Sequence, residues 1–101
     1  MASFQEKVLA KCTGIPKGKV STYSAIAKAI GKAKAARAAG NALNRNPDLV
    51  RVPCHRVIRS DGFVGGYVKG AKAKVALLRK EGVQVSGKGF VDLEKFLFRF
   101  D

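Results

Sequence analysis

The stretch STYSAIAKAIGKAKAARAAGNALNRNP, residues 21–47, decides the fold of this chain. It contains two apolar stripes with helical spacing, separated by Gly31. Ser21 or Thr22 is suited to cap the first helix, and Pro47 ends the second because proline disfavours helical backbone in the residue before it. Two short helices joined by a glycine-containing turn indicate a helix-turn-helix.

The second helix of this pair, expected from about residue 33 to 45, has two different faces. One face is almost entirely alanine, which would let the helix lie close to whatever it contacts. Alanine is also simply a good helix former, and the charged residues alone would fit a solvated face. The predicted buried face consists of Ala35, Ala38, Ala39, Ala42 and Leu43. The other face carries Lys34, Arg37, Asn41, Asn44 and Arg45.

The charge balance favours the helix-turn-helix. The chain has 20 Lys and Arg against 7 Asp and Glu, a net charge of +13. Such a one-sided excess is typical of nucleic-acid binding, because basic side chains neutralise phosphates and release counterions. Adaptation to heat usually adds acids and bases together. An anionic membrane surface is the weaker alternative, since no strongly amphipathic basic helix with bulky apolar anchors is present.

The start of the chain predicts a first helix over about residues 3–12. Ser3 and Glu6 have the spacing of a capping box. Cys12 falls on the apolar face of this helix, so we expect it to pack as a small hydrophobic residue. The N-terminus lacks an apolar secretion signal, and no run approaches the roughly 18 apolar residues of a membrane span. We therefore expect an intracellular chain whose two cysteines stay unpaired.

The second half of the chain predicts the remaining β structure and helices. Asp61-Gly62 indicates a hairpin turn after a Val- and Ile-rich segment at 49–58. A further helix is expected from Gly70 or Ala71 through Glu81. The tail, residues 83–101, is expected to form a short strand or hairpin and then an apolar segment that packs on the core. These elements, with 47% hydrophobic residues, fit one mostly α-helical domain with a short β-hairpin over residues 1–101.

The segment Arg51-Val52-Pro53-Cys54-His55-Arg56-Val57 places a thiol beside the only histidine of the chain. A nucleophilic cysteine needs positive charge or a base nearby, which Arg51, Arg56 and His55 offer. Neighbours in an extended segment point opposite ways, so His55 would need a water or a turn to reach the thiol. Glu81 is the candidate to orient His55, since the helix dipole disfavours an acid in the last turn of a helix.

Other interpretations fit parts of this segment. Cys54 alone would fit a buried cysteine in a strand. Two cysteines and one histidine do not match a zinc-ligand spacing, so we expect no metal. A cysteine protease is possible from a cysteine and a histidine, but a basic helix-turn-helix does not suit a peptide substrate.

The motif Pro53-Cys54-His55-Arg56-Val57 matches the active-site motif of the O6-alkylguanine-DNA alkyltransferases, also called methylated-DNA–protein-cysteine methyltransferases. The resemblance extends over nearly the whole chain and is to the C-terminal DNA-binding and active-site domain of that family. It implies a winged helix-turn-helix-like alkyltransferase domain and the absence of the N-terminal domain that many members carry. The other matching segments, in the order of the family, are residues 15–23, 34–40, 46–47, 64–67 and 77–82.

The resemblance implies a single-turnover enzyme. Cys54 would accept the alkyl group irreversibly, and His55 would deprotonate it through a water while Glu81 orients the imidazole. Asn46 would brace the turn that holds the active-site segment. Tyr23 would stand near the flipped base and donate a proton as guanine leaves.

The resemblance also implies a DNA surface and a guanine pocket. The recognition helix would lie in the minor groove, with Arg37 filling the space left by the extruded nucleotide. The implied DNA-binding residues are Lys34, Ala36, Arg37, Asn41, Arg45 and Tyr23. The implied pocket consists of Cys54, Val57, Tyr67 and the backbone around Val68, which stands where the family often has serine.

The expected partner is double-stranded DNA containing O6-alkylguanine, with no cofactor and no membrane. The protein would be a monomer, cytoplasmic and DNA-associated, or nuclear in a eukaryote. One alternative is an alkyltransferase-like sensor, which shares this scaffold but transfers nothing. A second is a basic helix-turn-helix transcription regulator, which would leave Tyr23, Asn46, His55 and Glu81 without a joint explanation.

Overall fold

The structure is a computed structural model that describes residues 2–100. Helix α1 (Phe4–Thr13) begins at the predicted capping box. The Ser3 hydroxyl accepts the Glu6 backbone N–H, and the Glu6 carboxylate accepts the Ser3 backbone N–H, both at 3.1 Å. Cys12 is fully buried on this helix, as predicted.

The two helices predicted around Gly31 are present and pack against each other. Helix α2 (Tyr23–Ala29) is capped by Thr22, whose hydroxyl accepts the Ala25 N–H at 3.0 Å. Helix α3 (Ala36–Asn44) is shorter than predicted. Its start is delayed because the preceding residues close a separate turn, in which the Ala35 N–H donates to the Lys32 carbonyl at 2.8 Å.

The buried face of α3 is narrower than predicted. Ala39, Ala42 and Leu43 are buried, but Ala38 is exposed and Ala35 is half-buried. The error arises because Ala35 precedes the helix and Ala38 lies at the margin of its apolar stripe. The predicted polar face is confirmed, since all of its residues are exposed: Lys34, Arg37, Asn41, Asn44 and Arg45.

The predicted fold class, mostly helical with a small β element, is confirmed, but the two strands are not a hairpin. Strand β1 (Ser21–Thr22) pairs in parallel with β2 (Val57–Ile58), with Ser21 opposite Val57. The Asp61-Gly62 turn does form, and the Arg59 N–H donates to the Phe63 carbonyl at 2.9 Å. Beyond this turn, Phe63 bridges to Phe90 of the tail instead of extending the ladder with β2.

Two helices complete the fold. Helix α4 (Ala71–Lys80) is capped at its C-terminus by Glu81, and Gly82 follows with a φ of 93°, as expected of a glycine after a helix end. The tail forms a turn at residues 87–88 and a single bridge at Phe90 in place of the predicted strand or hairpin, and its last part, with helix α5 (Leu93–Phe96), packs on the core as predicted. The tail backbone makes two hydrogen bonds with Val20. The Val20 N–H donates to the Phe96 carbonyl, and the Phe98 N–H donates to the Val20 carbonyl. No helix within residues 2–100 has the length and hydropathy to cross a bilayer.

The buried side chains form two clusters. The first joins α1, α2 and α3 and contains Cys12, Ile26, Leu43 and Cys54. The second lies under α4 and α5, around Leu78. Cys54 therefore sits in the helical core.

Candidate active site around Cys54

The chain approaches Cys54 through a tight turn. Pro53 has φ −81° and ψ 66°, the geometry of an inverse γ-turn, and the Cys54 N–H donates to the Val52 carbonyl at 2.9 Å. The Asn46 side-chain amide donates to the same carbonyl at 2.9 Å and accepts the Asp48 N–H at 2.9 Å. Asn46 is only 8% exposed, so this buried amide fixes the turn from the side of α3.

Cys54 begins a turn of 3-10 helix (Cys54–Arg56) that leads into β2. The Arg56 N–H donates to the Pro53 carbonyl at 2.9 Å, and the Val57 N–H donates to the Cys54 carbonyl. Of the two conformations considered for these residues, the extended segment is wrong and the turn at Pro53 and Cys54 is present, because the inverse γ-turn curls the chain. Both Cys54 and His55 are 6% exposed, so the thiol and the imidazole face the interior on the same turn.

His55 contacts the predicted acid. Its Nε2 lies 3.0 Å from Oε1 of Glu81, in a close polar contact whose direction departs from that of a hydrogen bond. Its ring meets the Tyr67 ring edge-on, with centroids 6.5 Å apart. Burial lowers the pKa of His55 below its ordinary value, although the Glu81 contact opposes that shift, and Arg56 and Lys74 add to it. The imidazole is therefore neutral at pH 7 and able to accept a proton.

Glu81 is held by Arg56 as well as by His55. The guanidinium donates to both carboxylate oxygens, at 2.9 and 2.6 Å, and to the Ile15 carbonyl at 2.8 Å. Burial opposes ionisation of Glu81, but the hydrogen bonds from Arg56 and the close contact with His55 outweigh it, so the carboxyl pKa is lowered. Arg56 was a candidate to activate the thiol directly. Its guanidinium instead fixes the carboxylate that faces His55, while Arg51 is exposed beside Asp48.

An open groove lies between α3 and residues 59–66. Tyr23 lines it and is half-buried, and Gly40 of α3 lies next to the Tyr23 ring. Cys54 is not among the lining residues, so the groove opens beside the thiol and not directly over it. Four of the predicted DNA-binding residues line this groove: Ala36, Arg37, Asn41 and Tyr23. The other two are exposed outside it, with Lys34 just before α3 and Arg45 at its C-terminal end.

The predicted guanine pocket is only partly visible in this conformation. Val57 is fully buried, and Tyr67 packs on the cluster that contains Cys54. Val68 is 52% exposed, so its side chain is not enclosed by a pocket. Burial, followed by the neighbouring Cys54, raises the pKa of both Tyr23 and Tyr67, which keeps both phenols protonated at neutral pH.

One residue of the site was missed by the sequence. Lys74 of α4 is 1% exposed, and its ammonium donates to the Gly66 carbonyl at 3.0 Å and to the Tyr23 hydroxyl at 3.3 Å. Its burial could have been predicted from its position four residues before Leu78, because residues i and i+4 lie on the same face of a helix. Within residues 2–100 no group of three or more His, Cys, Asp and Glu side chains is placed to hold a metal ion.

A buried thiol next to a histidine–carboxylate pair, beside a groove lined by Arg37 of α3 in a chain of net charge +13, indicates a DNA-binding domain with a cysteine site. The chain belongs to the family described as "6-O-methylguanine DNA methyltransferase, DNA binding domain", which matches residues 3–83. It is 47% identical over 85 residues to a methylated-DNA–protein-cysteine methyltransferase of Methanothermobacter thermautotrophicus, covering 84% of this chain and 47% of the relative. It is 45% identical over 84 residues to a bifunctional methyltransferase/endonuclease of Picrophilus torridus, covering 83% of this chain and 28% of the relative.

Two solved structures resemble the fold along most of the chain. Mycobacterium tuberculosis OGT in complex with DNA superposes with a TM-score of 0.77 at 43% identity, over 80% of this chain and 50% of that one. S. pombe Atl1, in complex with damaged DNA containing O6-carboxymethylguanine, superposes with a TM-score of 0.85 at 30% identity, over 99% of this chain and 100% of that one. The chain spans about half the length, or less, of the curated relatives described above.

Proposed function

We propose that this chain is a DNA repair protein that transfers the alkyl group of O6-alkylguanine irreversibly to its own Cys54. The observation that carries the proposal is the buried Cys54 beside His55, whose Nε2 lies 3.0 Å from Glu81. Residues 1–101 would form one alkyltransferase domain that corresponds to the C-terminal, active-site domain of the family. The family membership and the methyltransferase names of the relatives support the assignment.

The chemistry is one displacement at carbon. His55 takes the Cys54 proton through a water, and Glu81, held as a carboxylate by Arg56, stabilises the resulting imidazolium. The thiolate sulfur attacks the alkyl carbon, a C–S bond forms, and the C–O bond to guanine breaks. Tyr23, protonated at neutral pH, donates a hydrogen bond toward the departing base, and the proton taken from Cys54 ends on the guanine by way of His55 and solvent. The product is a thioether that water does not reverse at neutral pH, so each chain acts once and needs no cofactor.

The DNA must deliver its lesion to a site that a duplex cannot enter. A base inside the helix is out of reach, so the nucleotide is flipped out of the stack. In the proposal α2 and α3 act as the helix-turn-helix, α3 lies in the minor groove, and Arg37 fills the gap in the duplex. Because Cys54 is only 6% exposed, the base has to reach a largely buried thiol. The pocket would then use the Cys54 and Val57 carbonyls and the Val68 backbone.

The second candidate is a sensor that binds the lesion without transfer. The observation that favours it is the high structural similarity to Atl1, solved with damaged DNA, over 99% of this chain. A sensor would leave the lesion intact but would still prefer alkylated over undamaged DNA.

The number of lesions that each molecule consumes distinguishes the transferase from the sensor. We expect the chain to consume duplex O6-methylguanine in a single burst of one lesion per molecule, and Cys54→Ser to abolish the burst while retaining preference for the lesion. Lesion binding without any burst from the unmodified chain would refute transfer and support the sensor.

A protein that repairs DNA by this transfer would be monomeric and associated with DNA in the cytoplasm, or in the nucleus of a eukaryote.

A further inference from the structure

The α4 groove is a second open groove, bounded by α4 and by the turn at residues 86–89. Its volume of about 470 Å³ is within the range of sites that hold a ligand. Helix α4 lines it with Lys72, Val75 and Arg79, which are spaced i, i+3 and i+7 and so share one helical face. Leu78 lies on the buried face of the same helix. The proposed transfer uses neither this outer face of α4 nor the turn.

The two walls of the α4 groove are fixed by specific contacts. Nη2 of Arg79 donates to the Val85 carbonyl at 2.8 Å, which ties α4 to the segment before the turn. Within the turn, the Gly89 N–H donates to the Ser86 carbonyl at 3.0 Å. Gly89 has a φ of 88°, and a Cβ there would lie 3.0 Å from the Phe63 ring, so the turn needs glycine at this position. The groove is therefore a formed feature of the fold.

The floor of the α4 groove is apolar. Phe63, Val64 and Val75 line it, and the Phe90 ring adjoins it, with the Phe63 and Phe90 centroids 5.4 Å apart. Phe90 is 45% exposed and is one of three large hydrophobic side chains exposed within residues 2–100. An exposed apolar patch with a polar rim is typical of an interaction site. A hydrophobic side chain would remove this floor from water, whereas the phosphates of DNA would not.

The rim of the α4 groove is positively charged. Lys72, Arg79 and Lys88 line the groove, and no Asp or Glu is among its lining residues. Neither lysine forms an ion pair within the part of the chain that the structure describes. The Arg79 guanidinium makes its hydrogen bonds there through Nη2 alone, so Nε and Nη1 remain as donors for a carboxylate. The rim is thus complementary to acidic side chains.

We propose that the α4 groove docks an acidic segment of a partner protein, which inserts one aromatic or large aliphatic side chain. The inserted side chain covers the apolar floor, and carboxylates on either side of it pair with the cations of the rim. The α4 groove shares no lining residue with the groove beside α3, so the partner binds while α3 contacts DNA. The chain would thereby recruit another protein to the DNA it occupies. This inference goes beyond the proposed function and does not depend on alkyl transfer.

The test measures the affinity of a fluorescent peptide in which one phenylalanine lies between pairs of acidic residues. We expect Lys72→Gln and Lys88→Gln each to weaken binding by roughly 2- to 5-fold, the effect of losing an exposed ion pair. The same peptide with alanine in place of phenylalanine should bind about 10-fold more weakly, because it buries less apolar surface.

Lys80→Gln is the matched control. Lys80 is exposed at the end of α4 but does not line the groove, so its substitution removes the same charge and should leave the affinity unchanged. An equal loss in Lys80→Gln, or a peptide that binds as well without its phenylalanine, would show attraction to the overall positive charge and would overturn the proposal.

Backbone amide chemical shifts of the 15N-labelled chain locate the bound peptide. The peptide should shift the signals of residues 72–79 and 86–89 and leave those of Arg37 and Asn41, in the groove beside α3, unchanged. Shifts confined to Arg37 and Asn41 would mean that the peptide only mimics DNA. Displacement of the peptide by an undamaged duplex that shifts residues 86–89 would mean that the α4 groove binds nucleic acid. Either result would overturn the proposal.

These measurements involve no lesion and no transfer, so the two proposals fail separately. A chain that consumes O6-methylguanine but does not bind the peptide in the α4 groove would refute the docking site alone. A chain that binds the peptide there but transfers nothing would refute the proposed function alone.

Discussion

One carboxylate, that of Glu81, contacts both His55 and Arg56, so a single substitution tests both contacts. Glu81→Gln keeps the size of the side chain but removes its charge. The Arg56 guanidinium, whose side chain is 16% exposed, then loses its ionic partner, and His55 loses the group that stabilises its protonated form. The substitution should therefore reduce both stability and transfer.

The expected magnitude follows from the burial of the pair. Removing one partner of a buried ion pair destabilises a protein by about 3–5 kcal/mol. Here the two side chains keep 16% and 12% exposure, and glutamine can still accept one hydrogen bond, so we expect a loss of about 2–3 kcal/mol. In a domain of this size that lowers Tm by roughly 8–24 °C. The pKa of Glu81 is lower when folded, so its contribution is present above its ordinary value of 4.5 and is lost as the pH falls through the folded pKa.

Urea unfolding at pH 7 measures this loss, with Asp61→Asn as the matched control. Arg59 and Asp61 also form a close pair, at 2.8 Å, but their side chains are 57% and 50% exposed. The control should change stability by less than about 1 kcal/mol. Equal losses in the two variants, or a Glu81→Gln chain as stable as the unmodified one, would refute the view that Arg56, Glu81 and His55 form a coupled buried cluster.

Three further predictions concern the DNA surface, the turn before Cys54 and the acidic pH range. Arg37→Ala should slow repair of duplex by roughly 10- to 100-fold while leaving reaction with free O6-benzylguanine within about 3-fold, and equal losses on both substrates would contradict its role in base flipping. Asn46→Ala removes a donor to Val52 and orphans a backbone N–H, so urea unfolding should show a loss of about 1–3 kcal/mol together with slower transfer. Because the pKa of His55 is lowered, the rate should decline only below its ordinary value of 6.5, and a midpoint at or above that value would contradict a neutral base.

Much of the local structure could be predicted from the sequence, because the signals were local. The capping box at Ser3 and the cap at Thr22 fix helix starts through hydrogen bonds within one turn. Gly82, with its positive φ, ends α4 where predicted. The contact between His55 and Glu81 was also anticipated, since an acid at the end of a helix needs a cationic or hydrogen-bonding partner.

The errors concern contacts between distant segments. The parallel pairing of Ser21 with Val57 could not be predicted, because strands of two residues are too short to show an alternating apolar pattern in the sequence. The nearby Asp61-Gly62 turn favoured the prediction of a hairpin instead. Lys74 was missed because lysine usually faces solvent, and only the fold places Tyr23 and Gly66 above it. Arg56 was assigned to the thiol from proximity in sequence, whereas the 3-10 turn places it against Glu81.

The central claim is that Cys54 itself becomes alkylated. The direct measurement is the mass of the peptides containing Cys12 and Cys54 after incubation with a duplex that carries O6-methylguanine. The mechanism predicts one added methyl group on the Cys54 peptide, none on the buried Cys12 peptide, whose thiol pKa of about 12 keeps it protonated, and restored guanine in the DNA. An unmodified Cys54 peptide with the lesion still present would contradict it.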